Sequence, residues 1–267
     1  MTTAMSTKNQ IFDFGRFTAA LRKEWAENKR LMLLVMLGIY LVFAAGLIMG
    51  NYLNRGMGNN AVDPMFTFLF MGIISSLGFA GLASKGKRMN YLISPSSTVE
   101  KFTANALIYV IGGIVAVFLC IGLADLTRIA ALWFFRSDDL LVSGPTAFAD
   151  TVIKWVDPKG DFWSCLPEFL LNCLWWSSVF MLGSILWPKH SLLKTGLAII
   201  AYFILVIILV LINHRDASSF SKGWENYERI APYIDCVIIV LGWVIGWILF
   251  KGKDVIRRRW RVVTTNS

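Results

Sequence analysis

Residues that could carry chemistry are few in this sequence. The two histidines, His190 and His214, have no carboxylate or thiol at the spacing expected of metal ligands. The sequence has no His-Glu-x-x-His zinc motif, no Gly-x-Ser-x-Gly nucleophile motif and no Gly-x-x-x-x-Gly-Lys-Ser/Thr phosphate loop. We therefore expect a chain that is not an enzyme, with no catalytic residue, no metal site and no cofactor of its own.

The four cysteines form no closely spaced pair. Cys120 and Cys173 fall inside apolar runs, where a thiol most simply packs as a small apolar side chain. Cys165 and Cys236 both lie near the predicted outer face, so an oxidising compartment would allow them to form a disulfide. The sequence leaves that pairing open.

The elements that carry these residues are those of a membrane protein. The 267 residues are 56% hydrophobic and 16% charged, with a mean hydropathy of +0.60, whereas soluble domains carry about 25% charged residues. Six apolar runs are long enough to cross a bilayer, and none alternates as a barrel strand would. The predicted spans are residues 31–50, 65–83, 103–124, 168–187, 195–213 and 233–250. The expected fold class is an all-α membrane protein with six transmembrane helices.

The basic residues indicate the orientation. The formal net charge is +9, which in a soluble protein would raise the question of a nucleic-acid partner. Here most of the 26 Lys and Arg lie in residues 1–30, in the loops after the second and fourth spans, and in the tail. The positive-inside rule then places both termini in the cytosol, with membrane lipids rather than nucleic acid around the basic segments.

No Pro-rich or Ser-rich linker divides the chain, so we predict a single transmembrane domain over residues 1–267. Its predicted parts are an interfacial elbow helix at 1–30, a six-helix bundle at 31–250 with an outer segment at 125–167, and a basic cytosolic tail at 251–267. Within the outer segment, residues 126–135 and 146–156 are expected to form short helices resting on the outer membrane face.

An amphipathic helix precedes the first predicted span. Phe14, Phe17, Leu21 and Trp25 recur at steps of three and four residues, with charged residues on the other face. Such a helix suits the inner headgroup layer of the membrane, with a hinge to the first span at residues 28–30. The alternative is a soluble helix that packs on a partner.

Ionisable residues are absent from mid-membrane depth in the predicted spans, where transporters driven by protons or sodium usually have them. Asp125, Glu168 and Asp235 sit at the predicted outer ends of spans three, four and six, within reach of water. Asn172 lies one helical turn from Glu168 and is expected to share its face. These four residues are the candidate lining of a substrate path. Glu168 also follows Pro167 at a predicted helix start, where it would simply complement the helix dipole.

The most informative segment is the predicted cytosolic loop between spans two and three, residues 85–102. Ser97 followed by Glu100, ahead of an apolar run, is the capping-box signature of a helix start. Pro95 forbids one continuous helix from the second span into the third. The short basic element before Pro95 would either press on lipid headgroups or dock on a soluble partner, and the residue pattern leaves both open.

This loop resembles a segment of a known family. The residues Leu92-x-x-Pro95-x-Ser97-x-x-Glu100-Lys101-Phe102 are similar to the Leu-Pro-Ala-Ser-x-x-Glu-Lys-Phe segment of type-2 permease subunits of ATP-binding cassette (ABC) transporters from Bacteroidetes-like bacteria. Leu182-Gly183-Ser184, through Lys189 to Leu193-Lys194-Thr195, resembles that family's Leu-Gly-Ser … Lys … Lys-Thr entry into the fifth span. The elbow helix and the six-span layout with cytosolic termini also fit.

The resemblance implies the membrane-spanning permease subunit of an ATP-driven exporter, in the bacterial cytoplasmic (inner) membrane. It implies a coupling helix between spans two and three that docks on a separate cytosolic ATPase subunit, where ATP and Mg²⁺ bind. It also implies a dimer, either with a second copy or with a sister permease. The residues expected at the ATPase contact are Arg88, Tyr91, Pro95, Ser97, Glu100 and Lys101.

A second class of function stays open. A non-transporting membrane scaffold or sensor would recruit a cytosolic partner through the same loop and through the basic tail at residues 257–261. That tail is equally typical of a positive-inside membrane anchor.

Overall fold

A computed structural model describes residues 12–53, 63–82, 96–135, 146–157, 160–213, 230 and 232–252. Across these ranges the chain is helical between short turns and contains no β-strand. The predicted all-α fold is confirmed for this part of the chain.

The helices follow one another in a simple order along the sequence. They are α1 (Phe14–Leu53), α2 (Pro64–Ser76), a 3₁₀ helix (Ala80–Leu82), α3 (Thr98–Ala106), a π-helical segment (Leu107–Ile111), α4 (Gly112–Phe135), α5 (Ala147–Val156), α6 (Phe162–Leu186), α7 (Ser191–Asn213) and α8 (Pro232–Gly252). α3, the π-segment and α4 follow without a break and form one long rod.

Five helical stretches are long and apolar enough to cross a membrane. They are Phe14–Gly50, Thr98–Phe134, Phe162–Leu186, Ser191–Leu209 and Pro232–Gly252. The prediction of a multi-pass membrane protein with transmembrane helices is therefore confirmed. Three of the six predicted spans lie inside these stretches, and two more (168–187 and 195–213) extend past them by one and four residues.

The second predicted span is shorter than its apolar run. α2 has 13 residues, or about 20 Å at 1.5 Å per residue, against about 30 Å of hydrocarbon in a bilayer. The helix ends at Ser76, with Leu77 as its C-cap, and the chain then turns at Gly78, where a Cβ would lie 3.2 Å from the carbonyl oxygen of Ser75 and 3.5 Å from Tyr109. The apolar run continues through this turn into the 3₁₀ helix, which composition alone does not reveal.

The predicted hinge at residues 28–30 is wrong, because α1 is one continuous helix of 40 residues. Residues 28–30 contain neither Gly nor Pro, the usual causes of a break in a helix. The Asn28 side chain bonds within the helix, donating to the carbonyl oxygen of Glu24 at 3.3 Å and to its carboxylate at 2.8 Å. The amphipathic segment is therefore the first part of the first spanning helix.

α1 lies alongside the rod formed by α3, the π-segment and α4, and the two run parallel. Asp13 meets Glu100 at the start of both, Glu24 meets Tyr109 further along, and Met36 accepts a hydrogen bond from Cys120 beyond that. Because the partners advance together along both helices, the helices point in the same direction. The amphipathic part of α1 thus packs on its own chain.

The predicted outer segment is more regular than expected. Residues 126–135 continue α4 instead of forming a separate short helix, and α6 begins at Phe162, before Pro167. α5 does form a short helix, but it does not rest apart on the membrane face. Its residues Ala147, Thr151 and Val152 are buried, and Trp155 meets Phe68 of α2 edge to face at 4.7 Å.

Packing is uneven across the bundle. In the most apolar 18 residues of each spanning helix, 50% are buried in the α3–α4 rod and 56% in α6. In α7 and in α8 only 11% are buried. Aromatic rings fill the centre: Phe68 packs on Phe169 and stacks on Trp176, and Phe79 and Phe102 pack on Phe250. α7 and α8 therefore present apolar surface to the bilayer or to another subunit.

The contact between α6 and α7 gives a test of this packing. A Cβ at Gly183 would overlap the Thr195 side chain, whereas no described atom lies within 4 Å of the Cβ position at Gly196 on α7. We expect Gly183→Ala to destabilise the protein by about 1–3 kcal/mol through overpacking. Gly196→Ala should be neutral or stabilising, since alanine is the better helix former by about 1 kcal/mol. Thermal unfolding of the purified variants measures both, and equal effects would contradict the close approach.

Candidate functional site

The start of α3 is built as the sequence predicted. Ser97 is the N-cap of the helix, and its hydroxyl accepts a hydrogen bond from the backbone N–H of Glu100 at 3.2 Å. The Glu100 carboxylate accepts one in return from the backbone N–H of Ser97, through Oε2 at 2.7 Å. The capping box is confirmed, and it fixes the Glu100 side chain over the first turn.

The second oxygen of Glu100 reaches the start of α1. Oε1 accepts a hydrogen bond from the backbone N–H of Asp13 at 2.8 Å and lies 3.3 Å from Nη2 of Arg16. Asp13 in turn holds the first turn of α1, because its carboxylate accepts from the backbone N–H of Gly15 at 2.7 Å. We call the group Asp13, Arg16, Ser97 and Glu100 the α1–α3 junction. Glu100 is fully buried within it.

The junction changes the role assigned to two of the predicted contact residues. Glu100 is 0% exposed and Lys101 is 5% exposed. Both were expected to face an ATPase subunit, and their burial contradicts a direct contact. The start of α1 covers Glu100. Ser97 is part-buried and serves as the cap. Arg88, Tyr91 and Pro95 lie outside the described residues.

A second polar cluster, which the sequence did not predict, lies further along the same interface. The Tyr109 hydroxyl donates to Oε1 of Glu24 at 3.3 Å, and the Asn28 amide donates to the same oxygen at 2.8 Å. The backbone carbonyl of Tyr109 accepts a hydrogen bond from the Ser75 hydroxyl of α2 at 3.3 Å. Tyr109 therefore connects three helices: α1, α2 and the α3–α4 rod.

Tyr109 belongs to the π-segment, and π-helical turns inside α-helices occur frequently at functional sites. The sequence held weak signals for this cluster. They are a single tyrosine within the apolar third span, the pair Gly112-Gly113 just after it, and a glutamate on the amphipathic helix. None of them tells which residues meet.

Asp125, a predicted member of a substrate path, is instead part of a buried ion pair. It is 2% exposed, and its Oδ1 lies 2.8 Å from Nε of Arg128, which is 1% exposed. Its Oδ2 accepts a hydrogen bond from the backbone N–H of Ala147 at 2.9 Å. Asp125 thus joins the far end of α4 to the first turn of α5. The expectation that water reaches it is wrong.

Glu168, Asn172 and Asp235 lie in one region of the helix bundle. Glu168 is exposed in the second turn of α6, so it does not cap the helix. The Asn172 amide donates to the backbone carbonyl of Glu168 at 3.0 Å, within the same helix. Asp235 of α8 lies close enough for electrostatic interaction with Glu168. The carboxylates of two different helices therefore share one region.

The cysteines proposed for a disulfide are both free thiols, Cys165 buried and Cys236 exposed. Cys165 lies in the first turns of α6, with its sulfur 4.0 Å from the Ser164 hydroxyl. Within the described ranges, no three His, Cys, Asp or Glu side chains converge to hold a metal ion.

Comparison of this chain with protein-family models, with curated proteins and with solved structures finds no match. The resemblance to ABC permeases therefore rests on the quoted residues alone. What the geometry itself offers is a mechanical connection, in which the chain that enters α3 is attached to the beginning of α1.

Glu100→Gln tests the junction. Glutamine offers one acceptor oxygen in place of two and loses the charge that faces Arg16, so a buried N–H of Asp13 or Ser97 is left without its acceptor. Such a group costs about 1–3 kcal/mol. We expect hydrogen exchange in residues 13–20, measured by mass spectrometry, to become about tenfold faster. Glu27→Gln is the control, because Glu27 is exposed and its pairing with Lys23 at 3.9 Å is of the kind worth about 0.3–0.5 kcal/mol. Unchanged exchange in Glu100→Gln would show that the carboxylate does not hold the helices together.

The buried pair of Asp125 and Arg128 gives a second test. Arg128→Met leaves the Asp125 carboxylate buried without its counter-charge, which costs about 3–5 kcal/mol. Adding Asp125→Asn removes that charge while keeping an acceptor for the Ala147 N–H, so the double variant should recover at least half of the lost stability. Denaturant titration of the two variants measures the difference. A double variant as unstable as Arg128→Met would contradict a structural pair.

Proposed function

We propose that this chain is the membrane-spanning permease subunit of an ATP-driven ABC exporter, coupled to a separate cytosolic ATPase subunit through the segment between α2 and α3. One observation carries the proposal: the buried Glu100 carboxylate joins the first turn of α3 to the first turn of α1. A force applied to the chain just before Ser97 would therefore act on two long helices at once.

The proposed topology has six crossings, with both termini in the cytosol of a bacterial cell. α2, its turn and the 3₁₀ helix supply the second crossing. Phe68 in α2 packs on Phe169, which also packs on Phe118, while Phe79 beyond α2 packs on Phe102. Phe102 and Phe118 are about 24 Å apart along one helical rod. Residues 64–82 pack both near Phe118 and near Phe102, so they cover most of the hydrocarbon thickness, although only their first part is α-helical.

The proposed mechanism assigns different roles to the residues of the coupling loop. Arg88, Tyr91 and Pro95 meet the ATPase subunit, which binds ATP and Mg²⁺. Ser97 and Glu100 lie behind that contact and transmit its displacement to α1, with Lys101 packed beside them. Closure of the ATPase pair then tilts the helices between inward-open and outward-open states.

The proposed permease works as a dimer, with a second copy or a sister chain. α7 and α8 support this part of the proposal, since only 11% of the most apolar 18 residues of each helix are buried within the chain. Glu168 on α6 and Asp235 on α8 are retained as candidates for a substrate path, together with Asn172. Asp125 is not retained, because it is engaged with Arg128.

Copurification tests the coupling proposal. We expect the full chain, purified from its native membrane in mild detergent, to carry an ATPase subunit with a phosphate loop and measurable ATP turnover. Arg88→Glu combined with Tyr91→Ala should reduce the recovered ATPase more than tenfold, because loss of a central contact and a reversed charge cost at least about 1.4 kcal/mol. Lys189→Glu, an equivalent reversal in the exposed loop between α6 and α7, should leave recovery unchanged.

Two other results would contradict the proposal. Recovery of an ATPase that survives the double substitution would place the contact elsewhere on the chain. A partner without ATPase activity, lost on the same double substitution, would instead support the membrane scaffold or sensor as the function.

A further inference from the structure

An apolar cavity of about 300 Å³ lies between α1, α2 and the rod of α3, the π-segment and α4. Its walls include Trp25, Met32 and Met36 of α1, Ile74 of α2, Ile108 of the π-segment and Gly112 of α4. It is not part of the α1–α3 junction and has no role in the proposed coupling.

The cavity opens toward the surface that faces lipid. Val115 and Leu119 line it and are more than half exposed, at 52% and 58%. Across the mouth, Trp25 is also exposed. The residues around this opening are apolar, so in a bilayer they would be in contact with acyl chains.

The physical properties of the cavity restrict its occupant. Its lining offers almost no polar surface, and a bound water needs about two to four polar partners. An empty space would leave the walls without the dispersion contacts that a packed interior makes. A flexible hydrocarbon chain from the surrounding bilayer can enter through the mouth and restore those contacts.

The face of α1 that borders the cavity indicates which lipid this is. Arg22, Trp25, Lys29, Met32 and Met36 follow one another at alternating steps of three and four residues, so they lie on one stripe of the helix. Arg22 and Lys29 are exposed. The stripe thus changes from basic to apolar along its length, with a tryptophan between the cations. This order matches an anionic headgroup followed by its acyl chain.

Local backbone features create the space. A π-helical turn enlarges the helix, and Gly112 directly after it has only the Leu107 carbonyl within 4 Å of its Cβ position among described atoms. At the neighbouring Gly113, a Cβ would lie 2.9 Å from Cγ2 of Ile74, so α2 closes the inner wall there. Gly112 therefore borders open space while Gly113 is needed for close packing.

We propose that this cavity binds one acyl chain of an anionic membrane phospholipid, whose headgroup phosphate is held by Arg22 and Lys29. The site does not depend on the exporter proposal, since it would exist in a permease and in a scaffold alike.

Photolabelling of the full chain in nanodiscs tests the site. The probe is phosphatidylglycerol with a diazirine near the end of one acyl chain, and phosphatidylcholine with the same chain is the zwitterionic comparison. After irradiation, mass spectrometry of proteolytic fragments should find phosphatidylglycerol adducts concentrated on the segments around Met32–Met36 and Ile108–Ala116. Labelling there should exceed that by phosphatidylcholine at least fivefold.

Filling the cavity provides the matched control. Gly112→Leu should reduce these adducts at least fivefold, because the new side chain occupies the space. Gly122→Leu places the same side chain on the same helix, at an exposed position outside the cavity, and should leave labelling unchanged. If Gly112→Leu proves unstable, Ala116→Leu fills the same cavity from the next turn. Adducts that persist in a folded, filled variant would overturn the site and indicate ordinary annular lipid or a different occupant.

The headgroup assignment has its own test. Arg22→Gln with Lys29→Gln should abolish the preference for phosphatidylglycerol over phosphatidylcholine. Arg30→Gln, which removes an exposed charge off the stripe, should preserve it. Equal labelling by the two lipids in the unmodified chain would overturn the anionic headgroup.

Discussion

A carboxylate placed where water does not reach sets the arrangement of this protein. A charge in such a place is tolerated only when hydrogen bonds and an opposite charge replace its lost hydration. The two oxygens of Glu100 receive the backbone N–H groups of Ser97 and Asp13 and lie beside the guanidinium of Arg16. Because these donors belong to the first turns of different helices, satisfying one side chain fixes where α1 begins relative to α3. The parallel packing of α1 on the α3–α4 rod follows from that starting point.

Features that depend on near neighbours in the chain could be predicted from the sequence. The capping box needs only the spacing of Ser97 and Glu100, and the structure reproduces both of its hydrogen bonds. Five of the six spans could be located because uninterrupted apolar runs leave the backbone little choice but a helix. The second apolar run does not form a spanning helix along its whole length, because α2 ends at Ser76 and the chain turns at Gly78, close to Ser75 and Tyr109. Amino-acid composition does not reveal this contact.

Partners distant in sequence could not be predicted, and the errors share this origin. Glu100 and Asp13 are 87 positions apart, and nothing in the capping box reveals that a free oxygen of Glu100 has a second donor. Glu100 and Lys101 were expected at an ATPase contact, whereas both are buried, and the start of α1 lies on Glu100. Asp125 was misplaced for a similar reason. Since α4 continues past it, Arg128 falls on the same helical face, and α5 returns to close the remaining oxygen.

The continuity of α1 decides how a displacement at the junction would spread. A hinged elbow would absorb motion at the hinge, but a continuous helix moves as a rod and carries motion to every contact along it. Beyond the junction, the next such contact is Tyr109 in the π-segment, the part of the α3–α4 rod with the weakest helical geometry. There the hydroxyl is held by Glu24 of α1 and the carbonyl by Ser75 of α2. The bond from the Tyr109 hydroxyl ends on a carboxylate and contributes about 1.5–3 kcal/mol, and the bond to its carbonyl about 1 kcal/mol, whereas uncovering the buried Glu100 charge costs about 3–5 kcal/mol. We therefore expect a displacement of α1 to be resisted most strongly at the junction and to be taken up first at the contacts of the π-segment.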